Sequence, residues 1–165
     1  MRLHHPCPRA RAQRGFTLIE MVVVVAIVGI LAAAAQPLLA LQTRRQQEFE
    51  LRQGLRTLRG ALDAYKLAAT EGRIAAPDND SGYPPALQVL VDGVHDIREA
   101  KERKVYFLRR LPRDPFADAS LPAAQTWGLR GYDSPPDAPQ PGPEVFDVHS
   151  RADGIGLDGT PYRAW

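Results

Sequence analysis

The hydrophobic pattern changes character twice along the chain. Residues 16–41 carry one ionisable side chain, Glu20, and Met21 to Ala35 is a run of fifteen apolar residues without interruption. Phe16 to Ala35 spans 20 residues, about 30 Å as a helix, which matches the hydrocarbon core of a bilayer. Helices apolar on every side over this length are rarely the core helices of soluble domains. Pro37 follows; it removes one backbone donor and crowds the carbonyl of Ala33, so it should interrupt the helix by a kink or a local loosening. Beyond it the period becomes amphipathic. Leu51, Leu55, Leu58, Leu62, Tyr65 and Ala69 form one stripe at alternating spacings of four and three. Arg44, Arg45, Glu48, Arg52, Arg56, Arg59 and Lys66 lie mainly off it, and Gly72 supplies a C-terminal stop. Phe16 to Glu71 is therefore read as a 56-residue helix. Its second half should have one face buried against the rest of the chain.

The remainder is turn-rich: twelve of the 15 prolines lie beyond residue 76. Residues 73–82 read as a loop. Residues 86–91 form a short helix beginning near Pro85 and ending by Gly93. Residues 94–104 are highly charged and expected to be exposed; Val105 to Leu108 is a short apolar patch. Leu111-Pro112-Arg113-Asp114-Pro115-Phe116 is a turn fixed by its prolines. Three stretches read as strands: Thr126–Tyr132, Val145–His149 and Tyr162–Trp165. Ser134 to Glu144, with five prolines in eleven residues, is an extended connection rather than a tight hairpin. The simplest fold is α+β, with a small antiparallel sheet packed on the amphipathic half of the helix, since neither is stable alone. The segments are a leader (1–15), an apolar helix (16–41), an amphipathic stalk (42–72) and a globular head (73–165).

Charge and composition sharpen this picture. The net charge is +2, with 24% charged residues, too balanced for a nucleic-acid-binding chain. The single cysteine, Cys7, excludes an internal disulfide framework and multi-cysteine metal sites. Residues 1–15 hold Arg2, Arg9, Arg11 and Arg14 and no acid, so this end should face the cytoplasm and residue 42 onward the far side. An ordinary secretory signal ends in a small-residue cleavage site after its apolar stretch. None closes this run; Gly15 stands before it. A cut there keeps the apolar segment and removes four of 21 basic residues, leaving 17 against 19 acids, a net of −2. It also removes Cys7, and a product without cysteine suits an oxidising compartment. His4, His5 and Cys7, interleaved with Pro6 and Pro8, read as part of this leader rather than as a metal site.

Glu20 is the anomaly. A carboxylate at mid-bilayer costs about 2.5–3.5 kcal/mol, less near the interface. No basic residue lies between Phe16 and Gln42. Cleavage after Gly15 creates an amine on Phe16, with an ordinary pKa of about 7.7–8, four residues away on the same helix or supplied by a neighbouring copy. Alternatively the carboxylate simply reaches toward the headgroups.

Arg14-Gly15-Phe16-Thr17-Leu18-Ile19-Glu20 resembles the processing motif of type IV pilins and type II secretion pseudopilins. The resemblance implies cleavage between Gly15 and Phe16 by a membrane-embedded prepilin peptidase and methylation of the new Phe16 amine. It also implies pairing of Glu20 with that amine on an adjacent subunit, and partial melting of the helix at Pro37 on assembly. The order of stalk, Tyr83-Pro84, the Leu87/Leu90 helix, the 111–116 turn and a Trp127/Tyr132 strand resembles the head of the major, G-type pseudopilins. Type IV pilins more often carry a paired cysteine loop near the C-terminus.

The function implied is a structural subunit of the type II secretion pseudopilus, assembled from the inner membrane to drive export of folded proteins, with its head in the periplasm. Its implied partners are copies of itself in a filament, minor pseudopilins, an inner-membrane assembly platform and membrane lipid, but no nucleic acid. No cofactor is implied except a structural calcium ion in the C-terminal loop, for which Ser150, Asp153 and Asp158 are the nearest oxygen donors; the alternative there is a pair of Asp-Gly turns. A type IV or competence-pilus subunit is the alternative function. A signal-anchored periplasmic enzyme is a third, but the product has only His95 and His149, no thiol, and no nucleophile-elbow or phosphate-loop motif.

Overall fold

The computed structural model describes residues 16–75, 81–98 and 103–165. The leader, with His4, His5, Cys7 and Gly15, lies outside the described residues, as do the loop residues 76–80. The chain divides into two compact units, residues 1–42 and residues 43–165.

In the first unit the chain enters helix α1, Leu18–Thr70, which continues into the second unit. Pro37 does not end it: the helix is unbroken on both sides. Proline costs one ladder bond, and the many bonds before and after it keep the helical path.

In the second unit α1 buries Leu51, Leu55, Leu58, Leu62 and Tyr65, the predicted stripe. The stripe ends on Ala68, with Ala69 only partly covered, and it extends backward to Glu48, which sequence reading placed off it. Position 48 is three before Leu51, so a helix of 3.6 residues per turn carries it onto the same face. The leucines contribute about 1.5–3 kcal/mol each on burial. Gly72, at φ +66°, turns the chain after the last helical residue, while the Arg73 N–H returns to the Ala68 carbonyl at 2.9 Å.

The head covers this stripe. Helix α2, Val89–Asp92, ends at Gly93 with φ +75° and seats Leu90 in the core. Strands β1 (Val94–His95) and β2 (Lys104–Val105) pair antiparallel. The segment 94–104, expected to be exposed, is so at His95, Ile97, Arg98, Arg103 and Lys104; among its described residues Asp96 is the buried exception. Asp96 is buried because its backbone bridges Ile74 and its carboxylate accepts the Arg98 N–H and faces Arg73. A 3-10 turn, Ala123–Thr126, leads into β3, Trp127–Arg130, which pairs antiparallel with β4, Asp147–Ser150. The register sets Trp127 opposite Ser150 and Arg130 opposite Asp147. The proline-rich segment is the long β3–β4 connection that its composition predicts.

The expected third strand is not formed. Tyr162–Ala164 is a 3-10 turn, preceded by a single bridge between Ile155 and Pro161. Pro161 has no N–H for a ladder and its φ is fixed at −61°, so pairing stops there and the chain coils.

Candidate functional site

At the start of α1 the side chains are open to solvent: Phe16 is 74% exposed and Leu18 85%. The large apolar residues from Leu18 to Leu41 are all exposed. This is the one helix among the described residues long and apolar enough to cross a membrane. Thr17 starts it. Its Oγ1 accepts the Glu20 N–H at 3.3 Å and its carbonyl accepts the Met21 N–H at 3.2 Å. Threonine followed three residues later by glutamate is the capping-box spacing, so the motif also starts the helix, and a carboxylate in the first turn is favoured by the helix dipole. Sequence reading missed Thr17, although that spacing was the available signal. Among the described residues no ion pair involves Glu20.

The 111–116 turn is a junction in the head, and five of its six residues make defined contacts. Leu111 packs on the core. The Pro112 carbonyl accepts Trp127 Nε1–H at 2.9 Å. Arg113 donates to the carbonyls of Asp118 and Leu121. Asp114, 2% exposed, accepts Ser150 Oγ–H at 2.5 Å and the Phe116 N–H at 2.8 Å, while its own N–H donates to Thr126 Oγ1. Phe116 stacks on Tyr162, ring centres 4.4 Å apart.

Arg59 fastens α1 to the sheet. Its Nε–H reaches Asp147 at 2.7 Å and its Nη2 donates to the carbonyls of Val148 and Trp165. Arg130 meets the same carboxylate at 3.1 Å. Burial alone would push the Asp147 carboxyl up; Arg59, the Val148 N–H and Arg130 together hold it below its ordinary value.

The three calcium candidates have separate roles. Ser150 is buried on Asp114, Asp153 is exposed, and Asp158 pairs with Arg52 of α1. Among the described residues no three histidine, cysteine or acidic side chains converge. His149 lines an open groove of about 560 Å³ with Trp127, Leu129, Pro139 and Arg151. That groove has no carboxylate or hydroxyl in its lining to work with the imidazole.

Residues 10–36 match a family model described as the prokaryotic N-terminal methylation motif. The chain is 33% identical over 112 residues to the type II secretion system core protein G of Klebsiella michiganensis, covering 66% of this chain and 71% of that one. It is 35% identical over 108 residues to the protein of the same name from Klebsiella pneumoniae, covering 63% and 69%. To that of Vibrio cholerae it is 33% identical over 110 residues, covering 67% and 70%. No solved structure matches.

Proposed function

The chain belongs to the type II secretion system core protein G family, and on that premise we propose that it is a structural subunit of the secretion pseudopilus. The observation that carries this reading is the exposed apolar surface of α1 from Leu18 to Leu41, headed by a single carboxylate, Glu20. Such a surface needs lipid before assembly and the equivalent helices of other copies afterward. One repeating contact between unlike faces generates an open helical filament. The relatives favour this filament over a type IV or competence pilus.

In this mechanism the peptidase cuts between Gly15 and Phe16 and the new amine is methylated. The subunit waits in the inner membrane, leader side cytoplasmic and head periplasmic. An assembly platform then lifts it out of the bilayer onto a filament begun by minor pseudopilins, and growth pushes folded proteins outward. Glu20 sets the register by pairing with the Phe16 amine of the preceding copy. That pairing offsets the desolvation cost of a carboxylate in the first turn of the span, below the roughly 2.5–3.5 kcal/mol of mid-bilayer, in a step repeated for every subunit. Pro37, which deprives the Ala33 carbonyl of a donor, is where the helix yields during packing. The role is mechanical, and the subunit has no catalytic step of its own.

The test is complementation in a host lacking its own core protein G. The chain should restore export of a secreted reporter. Glu20→Ala should insert in the membrane and fold its head, yet lower filament yield and export, by about tenfold for each 1.4 kcal/mol that the pairing contributes per subunit. Normal filaments from Glu20→Ala would overturn the pairing.

A further inference from the structure

The C-terminal stretch from Ser150 to Gly159 is where the family resemblance implies a calcium ion, with Ser150, Asp153 and Asp158 as its donors. Apart from the exposed Asp153, these donors and the Ile155 carbonyl are engaged by the protein itself. Asp158 Oδ1 accepts the Thr160 N–H at 2.9 Å and Thr160 Oγ1–H at 2.6 Å, and Oδ2 pairs with the Arg52 guanidinium. The Ile155 carbonyl accepts from Arg44. Ser150 is committed to Asp114. Glu48, the buried acid of the stripe, accepts the Leu157 N–H and Tyr162 Oη–H, each at 2.9 Å. Calcium takes six to eight oxygens. Two of those available here already face a guanidinium, whose positive charge opposes a second cation. The donor set does not fit the ion.

We propose that Arg44 and Arg52 replace a structural cation in this chain. These contacts all lie within residues 43–165 and do not depend on the filament reading. Arg44, Glu48 and Arg52 succeed one another at intervals of four, so one line along α1 presents plus, minus, plus to the loop. The two arginines take the outward-facing carbonyl and carboxylate; Glu48 takes the N–H and the phenol between them. Arg44 Nε lies 3.5 Å from Glu48, which places an opposite charge beside the buried carboxylate. Arg52 also stacks on Trp165, 4.1 Å from the ring centre, and that ring's N–H donates to Thr160. The loop is therefore closed by side chains of the helix it rests on. Both arginines are about half exposed, so their hold is open to screening by salt.

The experiment is hydrogen exchange on the full chain in detergent micelles, reading peptides across residues 154–165, with millimolar calcium or with EGTA. Exchange should be the same in both, and the melting temperature should agree within about 1 °C. High sodium chloride should speed loop exchange, and Arg52→Ala should speed it several-fold while residues 51–68 keep their protection. Slowing of loop exchange tenfold or more by calcium, or a calcium-dependent rise of several degrees in melting, would overturn the proposal. So would a loop whose exchange ignores Arg52→Ala. The calcium comparison uses the natural chain, so a variant that misfolds leaves it decisive.

Discussion

The Cβ that Gly54 lacks would stand 3.1 Å from Trp127 Cη2 and 3.2 Å from Cζ2. The indole cannot retreat freely, since it is 2% exposed and its Nε1–H is tied to the Pro112 carbonyl. Gly60, on the exposed side of the same helix, has nothing within 4 Å of its Cβ position. Two glycines in one helix therefore predict opposite signs. Gly54→Leu should destabilise the head by about 1–3 kcal/mol through overpacking, whereas Gly60→Ala should stabilise it by about 0.5–1 kcal/mol through helix propensity. Tryptophan fluorescence during thermal unfolding measures both. A harmless Gly54→Leu would mean that Trp127 does not rest on α1.

Asp114 gathers the 111–116 turn, the 3-10 turn before β3 and the end of β4 into one hydrogen-bonded unit. Asp114→Ala strands the Ser150 hydroxyl, which has no exposed surface, and the Phe116 N–H. We expect a loss of about 2–4 kcal/mol, with Asp114→Asn losing less because an amide oxygen still accepts one bond. Chemical denaturation of the two variants beside the natural chain tests the ordering.

His149 gives the head a pH dependence. A Cβ on Gly128 would fall 2.2 Å from its Nε2, so the ring lies flat against that glycine. Burial first, then Arg151, Arg130 and Arg59, hold the imidazole below its ordinary value of 6.5, against the opposing pull of Asp147. The unfolded chain binds this proton at higher pH than the folded one. The stabilising contribution is therefore complete above pH 6.5 and is lost as pH falls through the folded value. Asp147, also lowered in the fold, adds a second loss only below its ordinary 3.8. Melting temperature should fall on acidification below 6.5, and His149→Gln should flatten that limb. An equal slope in both proteins would remove His149 as its source.

Which parts of this structure were legible depended on the range of the interaction. The apolar run and the Leu51-to-Tyr65 stripe announce α1, because helical periodicity is local. Gly72 and Gly93 announce element ends for the same reason. The charge of Glu20 stands out against its neighbours, and Thr17, three residues before it at capping-box spacing, is a local signal that the apolar run overshadows. Glu48 counts among the residues off the stripe in sequence because its partners, Leu157 and Tyr162, lie over a hundred positions away. The Tyr162–Trp165 stretch has strand-like residues; what overrides them is Pro161 and the packing of Tyr162 on Phe116 and Trp165. The calcium expectation came with the family resemblance, and the residues of the loop alone cannot reveal that Arg44 and Arg52 reach their oxygens from the helix.

On the proposed reading, assembly depends on processing at Gly15. A peptidase must approach the Gly15–Phe16 bond closely, and glycine, without a Cβ, leaves the carbonyl side of that bond open. Valine places a branched carbon there. Gly15→Val should therefore accumulate as an uncut precursor that keeps Arg2, Arg9, Arg11 and Arg14 and has a peptide bond where Phe16 would carry an amine. It should still insert, because the apolar run and the basic flank that orients it are unaltered. It should fail to form filaments, because Glu20 then has no terminal amine to meet. Intact-mass measurement of the membrane fraction decides between precursor and product. A Gly15→Val protein beginning at Phe16 would remove the cleavage assignment, and an uncut protein that still builds filaments would remove the amine from the assembly contact.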